Sequence, residues 1–206
     1  DTHAGAYIPE TTNKTASVIN VIDRNFKFPQ VFRANLAVDQ KLNVWGLVGT
    51  LEAMYTKTVN NANYQNLNLS ENGEGTVNLG TTTRPLWTKR TNSSYGDVLL
   101  LTNTNKGYSY NLTAQLQKPY SRGWSGFAAY TYGRSTSLTD LTSSVAYSNW
   151  RFAYATNGLN YLNSANSNFD MGSRIVGSIS KEFKYSKNFA TTFTLIYTGQ
   201  SGQRMS

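Results

Sequence analysis

Residues able to do bond-making chemistry are few in this sequence. His3 is the single histidine and there is no cysteine among 206 residues, which removes most zinc sites and any Cys–His nucleophile. Asp1 and His3 also sit at a terminus, where order is usually poor. Glycines occur singly, so neither a dinucleotide fingerprint nor a phosphate-cradling loop is present. Glu71-Asn72-Gly73-Glu74-Gly75 could offer oxygens to calcium, but sparse carboxylates without EF-hand spacing read better as a solvated loop tip. The Asn-Xaa-Ser/Thr triplets at Asn13, Asn68, Asn92 and Asn111 follow from an Asn/Thr/Ser-rich composition rather than from glycan attachment. No catalytic, cofactor or metal site is expected. What remains is recognition: Tyr64, Trp87, Tyr147, Trp150 and Tyr154 lie in polar stretches, where exposed rings could stack on sugars or peptides or pack the loops into a lid.

Such loops need a scaffold, and the scaffold is written in period two. In Lys106–Gly133, Tyr108, Tyr110, Leu112, Ala114 and Leu116 alternate with Ser109, Asn111, Thr113, Gln115 and Gln117. After the turn residues Pro119–Gly123, Trp124, Gly126, Ala128, Tyr130 and Tyr132 continue the apolar set. Gln30–Leu42 and Leu47–Val59 alternate likewise, as do Gly172–Tyr185 and Phe189–Gly199. The opposite face would carry Arg33, Asp39, Lys41, Glu52, Gln115, Gln117, Arg174 and Glu182. These are candidate residues for lining a lumen or touching a plug. Val18, Ile19, Val21 and Ile22 form a short apolar patch that reads equally as strand end or loop core, and Val98–Leu101 as an extra strand or an extension of the next one.

Charged residues are only 15% of the chain and the net charge of +8 is scattered, so a nucleic-acid surface is not expected. No run approaches the ~18 apolar residues of a spanning helix, and any spanning must be by strands. The connections alternate: short near Trp45, Arg122 and Lys187, long at about 60–106 and 134–171. Outer-membrane barrels pair short periplasmic turns with long extracellular loops. The aromatics then sort into Tyr55, Tyr108, Tyr130, Tyr132 and Tyr197 near the outer interface, and Trp45, Tyr120, Trp124 and Phe189 near the inner one. The expected fold is therefore all-β, an antiparallel transmembrane β-barrel segment of about six strands. A soluble β-sandwich explains the alternation but not the short/long rhythm.

Several stretches carry a family resemblance: NFKFPQVFRANLAVDQKL (Asn25–Leu42), GLVGTLEAMYTKTVN (Gly46–Asn60), LTNTNKGYSYNLTAQLQKPYSRG (Leu101–Gly123), AAYTYGRS (Ala128–Ser135), AYSNWR (Ala146–Arg151) and SNFDMGSRIVGSISKEF (Ser167–Phe183). Together they resemble the barrel of TonB-dependent outer-membrane receptors, in particular the Oar-like group with a carboxypeptidase-regulatory-like domain. The resemblance implies a 22-strand Gram-negative outer-membrane barrel, a plug domain, energy coupling through TonB, uptake of a bulky nutrient and, as a further partner, a surface lipoprotein. No plug, TonB-contacting segment or aromatic closing strand is recognisable, so residues 1–206 are expected to be a slice of a longer barrel. A passive porin or adhesin barrel and a soluble extracellular carbohydrate-binding β-domain are the alternatives.

Overall fold

The computed structural model describes residues 17–70, 76–85, 89–155, 158–202 and 204. The chain divides into two compact units, one built from residues 27–62, 103–140 and 163–206, the other from residues 1–26, 63–102 and 141–162. His3, the 71–75 loop tip and Trp87 lie outside the described residues.

The first unit is a sequential antiparallel sheet. Its strands are β2 (Gln30–Lys41), β3 (Val48–Asn66), β7 (Gly107–Ser121), β8 (Trp124–Ser137), β10 (Ser173–Lys184) and β11 (Ala190–Gln200), paired in that order. A two-residue strand, β9 (Ala165–Asn166), adds to the end of β8. Strand β3, of which the last residues belong to the second unit, runs past the expected end at Val59 to Asn66. The expected loop at residues 60–106 thus begins as strand, because its Asn and Gln side chains are no obstacle to a ladder on a wet face.

Register places the alternating sets on one face throughout. Val38, Leu51, Ala114, Tyr130, Ile175 and Gly199 form one row across all six strands. Two residues along, Leu36, Ala53, Leu112, Tyr132 and Ser173 form the next. The row through Gln40, Gly49, Leu116, Ala128, Gly177 and Tyr197 starts beside the β2–β3 turn and finishes deep in β11. Such drift is the stagger of tilted strands that a barrel wall requires.

The turns are tight for local reasons. In β7–β8 the pair Ser121 and Trp124 closes around Arg122 (φ 52°) and Gly123 (φ 77°), the two left-handed residues of a type I′ hairpin. A register shift between Lys118 and Ser121 accompanies it. Farther along β8, Gly126 lies so close to β10 that a Cβ would stand 2.6 Å from the Ser178 carbonyl oxygen. Because that neighbour is backbone, Gly126→Val should prevent β8 from pairing with β10. The expected readout is loss of the heat-modifiable folded band on electrophoresis, whereas Ala129→Val on the opposite face keeps it.

The second unit holds β1 (Ile19–Ile22), β4 (Thr76–Leu79), β5 (Thr82–Pro85), most of β6 (Val98–Thr104) and a short helix, α1 (Ala146–Arg151). The apolar patch at Ile19–Ile22 resolves as strand, pairing in parallel with Val98–Leu101 of β6. Strand β6 is a strand in its own right and lies between β1 and β3. Strands β4 and β5 form a separate hairpin. The buried apolar residues among those described, Leu99 and Trp150, both lie in this unit.

Candidate functional site

In the central strands of the six-strand sheet the apolar face is the more exposed one, and the edge strands β2 and β11 are exposed on both. Leu36, Leu51, Leu112, Ile179 and Leu195 are each half or more exposed, while Glu52, Met54, Asn111, Thr113 and Gln115 on the other face are partly shielded. A water-soluble sheet hides its apolar side chains, because transfer out of water stabilises by ~25 cal/mol per Å². Here the central strands do the reverse. The unequal exposure of β3 and β7 is in keeping with a wall that curves around its polar face.

On that shielded face neighbouring strands satisfy one another. Arg33 donates from Nε to Thr56 Oγ1 at 3.3 Å, Asn35 donates to Glu52 at 3.0 Å, and the Thr50 hydroxyl donates to Asp39. Thr113 and Thr131 share a hydrogen bond at 3.0 Å, as do Ser180 and Thr194 at 2.8 Å. Lys41 and Gln117 flank Val48, and Arg174 lies opposite Thr131. All eight polar positions expected on this face lie there by register or contact. They are spread along the wall and converge on no single point.

Glu182 has a partner that alternation did not foresee. Counting by two puts Tyr120 with Lys118 on the apolar face, yet its hydroxyl donates to Glu182. The register shift between Lys118 and Ser121 re-aims it, as bulges do beside turns. Tyr120 thus stands at the short-turn end with its hydroxyl on Glu182, and it also borders the apolar face beside Trp124.

The aromatics of the apolar face sit at similar heights along successive returning strands. Tyr55 follows Val48, Tyr130 and Tyr132 follow Trp124, and Tyr197 follows Ala190 by nearly equal lengths of strand. Tyr108 lies beside Lys57, two residues beyond Tyr55. Trp45 occupies the β2–β3 turn with φ 54° and is 80% exposed.

The loop aromatics are less uniform than the sequence suggests. Tyr64 is a half-buried strand residue of β3. Trp150 is only 5% exposed and is corrected from a substrate-facing ring to a packing residue; its indole donates to Asn160 Oδ1 at 3.1 Å. Tyr147, half-buried on the same helix, holds its ring 6.1 Å from that of Trp150. Their places on α1 bring the two rings onto one face, which loop composition hides. Tyr154 alone among the described four is freely exposed, at 85%.

Buried asparagines, which sequence reasoning missed, knit this unit together. Asn68 donates to the carbonyls of Asn92, Tyr95 and Gly96 and accepts from the Asn92 amide. Asn66 donates to Asp97, and its backbone N–H and C=O both bond the Asn160 side chain. In the sheet unit, Asp140 accepts from the hydroxyls of Ser137 and Ser167 and the Asn168 amide. Asp170, with its side chain wholly buried, accepts the Ser135 amide and lies 3.6 Å from Arg204. Ser137-Xaa-Xaa-Asp140 is a local signal that could have been noticed; Asn160, paired across 94 residues with Asn66, has none.

The family described as outer membrane beta barrel domain matches residues 3–197. The chain belongs to this family. The outer membrane β-barrel domain so defined is an all-β membrane wall, and the outward apolar face of β2, β3, β7, β8, β10 and β11 associates with membrane lipid. A soluble carbohydrate-binding domain is set aside by the same two findings. The domain is of a structural or transport kind rather than an enzyme family. No curated protein and no solved structure matches the chain.

Proposed function

We propose that this domain is part of the wall of a larger barrel, in a TonB-dependent receptor of the Oar-like group that takes up a bulky nutrient through gated transport. The observation that carries the reading is the pair of open edges: among the described residues β2 pairs only with β3, and β11 only with β10. An open edge is not tolerated in hydrocarbon, where each unpaired backbone group costs several kcal/mol. Further strands must therefore close the sheet, and barrel width grows with strand number. The resemblance of Asn25–Leu42, Gly46–Asn60 and Ser167–Phe183 to Oar-like barrels supplies the rest of the reading.

In this arrangement the short turns face the periplasm and the loops at about 60–106 and 134–171 face outward. The outer girdle is Tyr55, Tyr108, Tyr130, Tyr132 and Tyr197; Trp45 and Trp124 mark the inner one. Arg33, Asp39, Lys41, Glu52, Gln115, Gln117, Arg174 and Glu182 line the lumen and support a plug domain. Tyr154 is the most available described ring for substrate, and a surface lipoprotein could cap the loops.

The test is transport by the barrel protein that carries this chain. Deleting its TonB-contacting segment should abolish uptake while leaving membrane insertion intact. Steady conductance in a planar bilayer, independent of TonB, would instead establish a passive porin.

A further inference from the structure

Near the short β7–β8 turn the apolar face of the sheet unit is indented by a cleft of about 1040 Å³. Its volume reaches the top of the ~300–1,000 Å³ usual for small-molecule sites. The hollow lies over Ala128 and Gly177, and its walls include Leu116, Trp124, Ile179 and Tyr197. Lys118 and Arg122 also line it, and no Asp or Glu does. A third cation stands at the same end: Lys181 Nζ lies 4.6 Å from the centroid of the Trp124 ring and 5.6 Å from that of Phe183. The nearest carboxylate of that strand, Glu182, is no lining residue; it takes the hydroxyl of Tyr120, which does line the cleft, and lies 3.8 Å from Lys184.

We infer that this cleft binds one anionic glycerophospholipid, with its phosphate at Lys118, Arg122 and Lys181 and an acyl chain lying along the hollow. Three observations combine here. The cleft opens on the face that meets lipid, so its occupant is a lipid chain rather than water. Its cationic end has no lining carboxylate to neutralise it, so a zwitterionic headgroup would bring its own ammonium against three positive charges, whereas an anionic one is attracted by each. Trp124 lines the hollow at the same end as the charges, where an indole suits the ester region of a lipid. Lys181 rests on that ring instead of extending away from it, which holds its charge at the cleft mouth. Placing the site in the periplasmic leaflet rests on the proposed orientation of the short turns; the headgroup chemistry does not.

The experiment uses the barrel protein carrying this chain, inserted into vesicles of equal parts phosphatidylcholine and phosphatidylglycerol and examined by native mass spectrometry after gentle extraction. Phosphatidylglycerol should be retained in preference, and each of Lys118→Gln and Lys181→Gln should reduce that preference about fivefold. Ala128→Phe, which fills the hollow, should reduce retention of both lipids without preventing insertion. Equal retention of the two lipids by the unaltered protein, or an unchanged preference in the double glutamine variant, overturns the inference. So does a lipid-free dimer, which would mean that a second copy covers the cleft. Failure of the unaltered protein to insert would overturn the membrane placement as well, and is read separately by flotation of the vesicles.

Discussion

Leu112→Arg lowers the stability of the barrel in a bilayer by about 2–4 kcal/mol, and Thr113→Arg, one residue along, by no more than about 1 kcal/mol. Leu112 is half exposed on the apolar face, between Ala53 and Tyr132. An arginine there must cross hydrocarbon or drag water inward. Thr113 is on the polar face, where it bonds Thr131 at 3.0 Å; a guanidinium in its place loses one hydrogen bond and reaches water. Urea titration of the barrel folded into phospholipid vesicles measures both. The difference between neighbours is the informative quantity, because both share strand, depth and pairing partners. Equal costs would contradict the assignment of faces.

The second large effect belongs to the loop unit. Asn68→Ala should cost roughly 3 kcal/mol locally, since a buried group left without its partner costs about 1–3 kcal/mol and four backbone groups rely on this side chain. Asn68 is 5% exposed and meets the carbonyls of Asn92, Tyr95 and Gly96 at 2.9, 3.1 and 2.7 Å. Hydrogen exchange over residues 91–98 should accelerate sharply, with amides of β7 and β8 unchanged. Asn105→Ala, at an exposed position, is the control. Unaltered protection in the Asn68 variant would mean that packing around Leu99 holds the unit without the amide network.

The contrast between these two sites marks what could be read in advance. At Leu112 the outcome follows from spacing alone. The period of a strand is two, so apolar residues at every second position name their face without reference to any partner. The same reasoning located all three hairpins and the eight polar wall positions from Arg33 to Glu182. It did not foresee the contact of the Tyr120 hydroxyl with Glu182, made beside a register shift at the turn. A bulge is a relation between two strands, and one strand's residues do not announce it.

By itself, then, the sequence determined the six long strands of the sheet, their faces and the exclusion of spanning helices, because these depend on local periodicity and on composition. Only the tertiary structure decided that the polar stretches are organised and not merely solvated. Asn66 and Asn160 meet across 94 residues, and Trp150 is buried against a side chain that composition assigns to a loop. Asparagine suits turns and exposed loops by its local hydrogen bonding; buried, it can equally satisfy distant backbone groups, and which of the two it does is settled by who its neighbours are. The cleft beside Trp124 is of the same kind. Lys118 and Arg122 line the hollow and Lys181, from the next hairpin, rests on Trp124 at the same end, a meeting that follows from the register of β8 on β10, which no single stretch of chain contains.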